Sequence, residues 1–177
     1  VVGGSNVSIT SPYWGPHHGT QSAVIAGTNG YEISGTASYP SGNPHKSAGC
    51  NTCHMAEPYG NMAGGHTFKM TYESHGSETE LVAGCNVCHS SLEEFDYNDV
   101  MTDVESLLTD LETELVNAGI YDAATGRPDV SFGSSLDLTA DEAGALYNYL
   151  MIHEDRSMGI HNPGYTKALL QNSIEAL

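Results

Sequence analysis

The sequence predicts a mostly α-helical chain with a large irregular, loop-rich half and little β structure. Three observations carry that expectation. Glycine and proline punctuate the first hundred residues, at Gly15-Pro16, Gly42-Asn43-Pro44 and Gly64-Gly65, too often for long regular elements. From Asp99 onward apolar residues recur at three- and four-residue steps. Helix-start signatures then follow at Thr139 and Asn162.

In chain order, Val1 to Thr10 reads as a flexible tail, and the stretch to about residue 98 as one loop-rich half. The chain is 39% hydrophobic, and Gly, Ser, Thr and Asn crowd this half, so something other than a side-chain core has to organise it. Val104, Leu107, Leu108, Leu111 and Leu115 then mark one face of an amphipathic helix that ends near Gly119. Residues 121–138 read as an irregular connection. Thr139-Ala140-Asp141-Glu142 matches a capping box and opens a helix through Leu146, Tyr147 and Leu150. After a break at Gly159, Asn162 as N-cap and Pro163 at the first helical position open a terminal helix through Leu169, Leu170 and Ile174. The 177 residues fit a single domain, 1–177, made of a loop-rich half (1–98) and a helical half (99–177).

Charge narrows the classes of partner. Asp and Glu number 22 against five Lys and Arg, for a formal net charge of −17, which disfavours nucleic acid and anionic membranes and favours basic proteins or cations. No stretch is long and apolar enough to span a bilayer. The first residue is Val1 rather than Met, which suggests a secreted, mature form.

The chemistry lies in two motifs. Cys50-Asn51-Thr52-Cys53-His54 and Cys85-Asn86-Val87-Cys88-His89 share the longer frame Ala-Gly-Cys-Asn-x-Cys-His and use all four cysteines of the chain. Each supplies two thiols for thioether bonds to a haem and an adjacent imidazole for the iron. A zinc site made of two Cys-x-x-Cys pairs would leave both following histidines unexplained. Thioredoxin-like pairs need a strand-to-helix context these Gly-rich surroundings do not offer, and two structural disulfides again ignore the histidines. The expected cofactors are two haem c groups, and such attachment places the protein outside the cytoplasm, in a periplasmic or extracellular setting.

The sixth ligand then decides what the irons do. Seven other histidines are available: His17, His18, His45, His66, His75, His153 and His161. His153 stands in a helix beside Glu154 and Asp155, and His75 in a polar stretch, which suits solvated roles. His45 just before the first motif, His66 after it and His161 before the terminal helix are well placed to fold over a porphyrin.

His17-His18-Gly19-Thr20-Gln21, Cys-x-x-Cys-His-Met ending at Met55, Gly64-Gly65-His66-Thr67-Phe68, the second Cys-x-x-Cys-His, and Gly159-Ile160-His161-Asn162-Pro163 follow one another in this order. The arrangement resembles the C-terminal part of multihaem cytochromes related to pentahaem nitrite reductase, and more closely small extracellular multihaem cytochromes of metal-reducing bacteria. The resemblance implies a multihaem cytochrome c fold in which His161 pairs with His54, and His45 with His89. The histidines matching His18 and His66 serve upstream haems in that family, haems this chain lacks. His66, His18 and His17 are therefore runners-up as ligands. Nor does any Cys-x-x-Cys-Lys occur, so the resemblance argues against an enzyme.

The leading expectation is electron transfer through two bis-histidine haems to redox partner proteins or extracellular acceptors. The first alternative is self-assembly into an extracellular filament that conducts along a haem chain, with the Val1-to-Thr10 tail docking on a neighbour. The second is a small-molecule reductase with one open haem.

Overall fold

A computed structural model describes residues 5–177. In chain order its elements are β1 (Val7–Ile9), α1 (Gln21–Ala26), α2 (Pro44–Ala48), α3 (Cys50–His54), β2 (Thr71–Ser74), β3 (Ser77–Glu80), α4 (Val100–Asn117), β4 (Tyr121–Asp122), β5 (Arg127–Pro128), β6 (Leu136–Leu138), α5 (Ala140–Asp155) and α6 (Pro163–Glu175). The chain divides into two compact units. A helical unit combines the residues up to Asn43 with Val100–Leu177, and a motif unit comprises Pro44–Asp99.

The helical unit is built on α4, α5 and α6, which pack on one another. The apolar stripe of α4 buries Val104, Leu108, Leu111 and Leu115. They meet Leu146, Tyr149, Met151 and Ile152 of α5 and Leu169 and Leu170 of α6 in one core. Both helix starts follow from their caps. Thr139 Oγ1 accepts from Glu142 N at 3.2 Å while Thr139 N donates to Glu142 Oε2 at 2.8 Å, a reciprocal capping box. Asn162 Oδ1 accepts from Tyr165 N at 3.3 Å, and Pro163 follows at the first helical position, where no N–H is needed.

Two buried asparagines bind the early loops to these helices. Asn148 of α5 accepts from Tyr31 N and donates to Tyr31 O, both at 2.8 Å, and donates to Ser173 Oγ at 3.0 Å. Asn172 of α6 accepts from Ala37 N at 3.0 Å and donates to Ile33 O at 3.1 Å and Ala37 O at 3.0 Å. Both are wholly buried, and they satisfy backbone groups that would otherwise be desolvated without a partner. The first forty-odd residues therefore belong with the helices and not with the cysteine motifs.

The expected fold class, mostly α with little β in a multihaem cytochrome c fold, is corrected. The structure is a small mixed α/β protein, 42% helical and 12% strand. Among the described residues no group of three or more His, Cys, Asp or Glu is placed to hold a metal ion. The strands form three antiparallel two-stranded sheets, β1 with β6, β2 with β3 and β4 with β5. The stretch 121–138 that the sequence presents as irregular holds the whole β4–β5 sheet, where Tyr121 pairs with Pro128, and the β6 strand as well. The expected tail is corrected as well. Val7, Ser8 and Ile9 pair with Leu138, Asp137 and Leu136, and Ile9 is fully buried, so this segment is committed to its own chain. Val1–Gly4 lie outside the described residues.

In the motif unit, β2 and β3 make a hairpin whose two-residue turn is His75-Gly76, with φ of 53° and 79°. Positive φ at both positions matches the right-handed strand twist, and Gly76 takes it without strain. The unit has almost no core, since only Ala63, Gly64 and Gly84 are buried in it.

Candidate functional site

The first cysteine motif is the helix α3 itself. One turn of helix puts Cys50 and Cys53, three residues apart, on a common side. His54 closes the helix, and its Nδ1 lies 2.9 Å from the carbonyl oxygen of Phe68, with the two rings stacked at 5.0 Å and 11°. A backbone carbonyl can only accept, so Nδ1 carries the proton and the lone pair sits on Nε2, an arrangement also common in ligating histidines.

The second motif starts as a 3₁₀ turn over Cys85–Val87, and His89 N donates to Cys85 O at 2.8 Å. Asn86 holds the loop beyond it by accepting from Leu92 N at 2.7 Å and donating to Leu92 O at 3.2 Å. The His89 ring packs beside Tyr97 at 4.7 Å and faces the His45 ring at 6.1 Å and 72°.

The two motifs touch. A Cβ on Gly84 would lie 2.6 Å from Thr52 O and 2.8 Å from Cys53 Cα, so glycine is what lets the second motif's backbone approach the first. Beside this contact the Cys53 and Cys85 thiols are hydrogen-bonded; that bond, and then burial, push the Cys85 thiol well above its ordinary range. Cys50 and Cys88 are exposed. Around the motifs Tyr59, Met62, Phe68, Val87 and Tyr97 are exposed apolar side chains, with Tyr59 stacked on Tyr72 at 4.0 Å.

The other histidines separate by unit. His66, exposed in a short 3₁₀ turn, and His75, at the hairpin turn, belong to the motif unit. His17, His18, His153 and His161 belong to the helical unit. His161 Nδ1 lies 2.8 Å from Asp155 Oδ1, and the side chain of that carboxylate is 2% exposed. Ser157 Oγ donates to the other Asp155 oxygen and accepts from His161 N at 3.3 Å. His18 Nδ1 sits 2.8 Å from Glu154 Oε2, a hydrogen bond that holds the Glu154 carboxyl below its ordinary value. His17 is exposed, and His153 stacks on Tyr149 at 5.8 Å.

The structure thus brings together His45 with His89 and Cys53 with Cys85. It keeps His54 and His66 in the same unit and puts His161, His18 and His17 in the other. Phe68, Tyr97 and Asp155 touch these histidines and were not singled out from sequence. Phe68 closes the Gly-Gly-His-Thr-Phe stretch, where attention falls on His66; Asp155 reads only as one more acid in an acidic chain. Two clefts, of about 380 and 300 Å³, lie on the helical unit, and neither is lined by a cysteine or histidine.

No protein-family model, curated protein or solved structure matches this chain. The likeness to multihaem cytochromes rests on the motif residues alone. Among the described residues no helix is long and apolar enough to cross a membrane.

Proposed function

We propose that the chain is an electron carrier that holds two covalent c-type haems on its Pro44–Asp99 unit. One observation carries the reading. This unit surrounds both cysteine motifs yet buries only Ala63, Gly64 and Gly84, and it leaves Tyr59, Met62, Phe68, Val87 and Tyr97 exposed. Two large apolar discs would cover such side chains, at about 25 cal/mol per Å² of apolar surface removed from water.

The donor set suits haem. Haem brings most of its iron's ligands with it, so each iron would ask the protein for at most two donors and not for a cluster. Bound haem supplies reversible one-electron iron chemistry. Cys50 and Cys53 would form the thioethers of one haem, and Cys85 and Cys88 those of the other. His54 and His89 would be the proximal ligands, the first oriented by Phe68 O. His45 would be the second protein ligand beside His89. The His45 and His89 rings lie 6.1 Å apart, which is what supports this pair.

Irons saturated in this way suit transfer and not catalysis. The charge of −17 steers the carrier toward basic partner proteins or cationic acceptors. The attachment chemistry belongs outside the cytoplasm.

The test is to export the chain in a host that attaches c-type haem and weigh it intact. A mass increase of two haems is expected, with both irons low-spin and inert to carbon monoxide. His45→Ala should turn one haem high-spin, and the same readout on His161→Ala, His66→Ala, His18→Ala and His17→Ala identifies the ligand opposite His54. A chain that leaves the host without haem, while a control cytochrome is loaded, overturns the reading.

A further inference from the structure

We propose that before it carries haem the chain forms a disulfide between Cys53 and Cys85, which withholds one thiol from each motif. The bond itself does not depend on the haem reading; its consequence for attachment does.

The approach of the two motifs supplies the geometry. With Gly84 in backbone contact with Thr52 and Cys53, the thiols of Cys53 and Cys85 are already hydrogen-bonded to each other. The obvious competitor is closure within a motif. Residues three apart on a helix hold their Cβ atoms about 5–6 Å apart, whereas a disulfide needs about 3.5–4.5 Å. Joining Cys50 to Cys53 therefore requires the single turn of α3 to open. Joining Cys53 to Cys85 uses thiols the fold has already placed together.

The step is thiol–disulfide exchange with an external disulfide, such as oxidised glutathione. One protein thiolate attacks the donor disulfide and expels one donor thiolate, giving a mixed disulfide. The second protein thiolate attacks the protein sulfur of that intermediate and expels the other donor thiolate. Two electrons pass from the protein to the donor, and the two protons lost by the cysteines appear on the two donor thiols. Reduction by an external thiol reverses each step and returns both motifs to the state that haem attachment needs.

The full-length chain, produced where no haem-attachment machinery acts, is equilibrated with oxidised glutathione, alkylated and digested without reduction. Mass spectrometry is expected to find the peptides joined through Cys53 and Cys85, with Cys50 and Cys88 alkylated. Bridges within each motif, any other pairing, or four alkylated cysteines would overturn the proposal. A second comparison uses Cys50→Ser/Cys88→Ser, which keeps the proposed pair, and Cys53→Ser/Cys85→Ser, which removes it. In glutathione buffers the first should remain half oxidised at a reduced-to-oxidised ratio at least about tenfold more reducing than the second, and equal ratios refute the idea. Haem loading of the exported chain is weighed separately, so a chain that never takes haem sinks the haem reading and leaves the disulfide to stand or fall on its own peptides.

Discussion

If haem supplies the missing core of the motif unit, the haem-free chain should be stable in one unit and only marginally so in the other, and amide hydrogen exchange can read both at once. The helical unit holds Leu111, Leu115, Leu146, Tyr149, Leu169 and Leu170 at 2% exposure or less. Each is worth about 1.5–3 kcal/mol of burial. The Pro44–Asp99 unit has no buried side chain larger than that of Ala63 to set against a backbone ordering cost of about 1–2 kcal/mol per residue. In the haem-free chain, where the turn of α3 and the Gly84 contact still form, its amides should therefore open at a cost of only about 1–2 kcal/mol and exchange about five- to thirtyfold more slowly than an unstructured peptide. Amides in the middle of α5 should be slowed by at least about a thousandfold. Attachment of both haems should slow the motif-unit amides by about a hundredfold or more while leaving α5 unchanged. If β2, β3 and α3 in the haem-free chain are as protected as α5, the unit supports itself and the argument from its missing core is wrong.

Three further outcomes are expected. Asn148→Ala removes hydrogen bonds to Tyr31 N, Tyr31 O and Ser173 Oγ and should lower the unfolding free energy by about 2–4 kcal/mol in urea titration; a loss below about 0.5 kcal/mol would mean that the loop is not held this way. Gly84→Ala drives a methyl into the backbone of Thr52 and Cys53; haem-loaded protein should fall severalfold in yield by intact mass, and full loading would show that the two motifs can part without cost. Burial, then the bond to Glu112, hold Tyr149 neutral far above its ordinary range, and burial pushes Tyr165 up to about 12. Because their folded values exceed the unfolded value of about 10, this contribution to stability is complete below about pH 10 and falls as pH rises from there toward the folded values. Urea titrations across that window should show the decline, and a flat profile with tyrosinate absorbance rising near pH 10 in the folded chain contradicts it.

The helices were legible because their signals are local. The spacing of Val104, Leu108, Leu111 and Leu115, the Thr139 box and the Asn162-Pro163 start each lie within one or two helical turns. The β1–β6 ribbon was not, because Val7-Ser8-Ile9 is too short to show a period, and its partner lies at Leu136–Leu138 across most of the chain. The hairpin left a clue in His75-Gly76, a two-residue turn between Thr71-Tyr72 and Thr79-Glu80, but polar strands and a histidine in the first turn position hid it. At the site, the cysteine spacing located both motifs, and the structure gives each a helical turn. What packs on each imidazole depends on tertiary contacts: Phe68 on His54, Tyr97 on His89 and Asp155 on His161 are each ordinary residues until the chain folds.

The helical unit is interrupted, with Pro44–Asp99 inserted between its parts. Synthesis proceeds from the N-terminus, so β1 waits for β6, and the loop around Tyr31 waits for Asn148 and Asn172. None of those late partners exists until both cysteine motifs have been made. The motifs therefore emerge before their host unit can close, and on the haem reading proposed above an attachment enzyme would have a period of access to four thiols on an open chain. A circular permutant that begins at Val100 and joins Leu177 to Val1 would reverse this timing, completing the helical unit before the first cysteine appears.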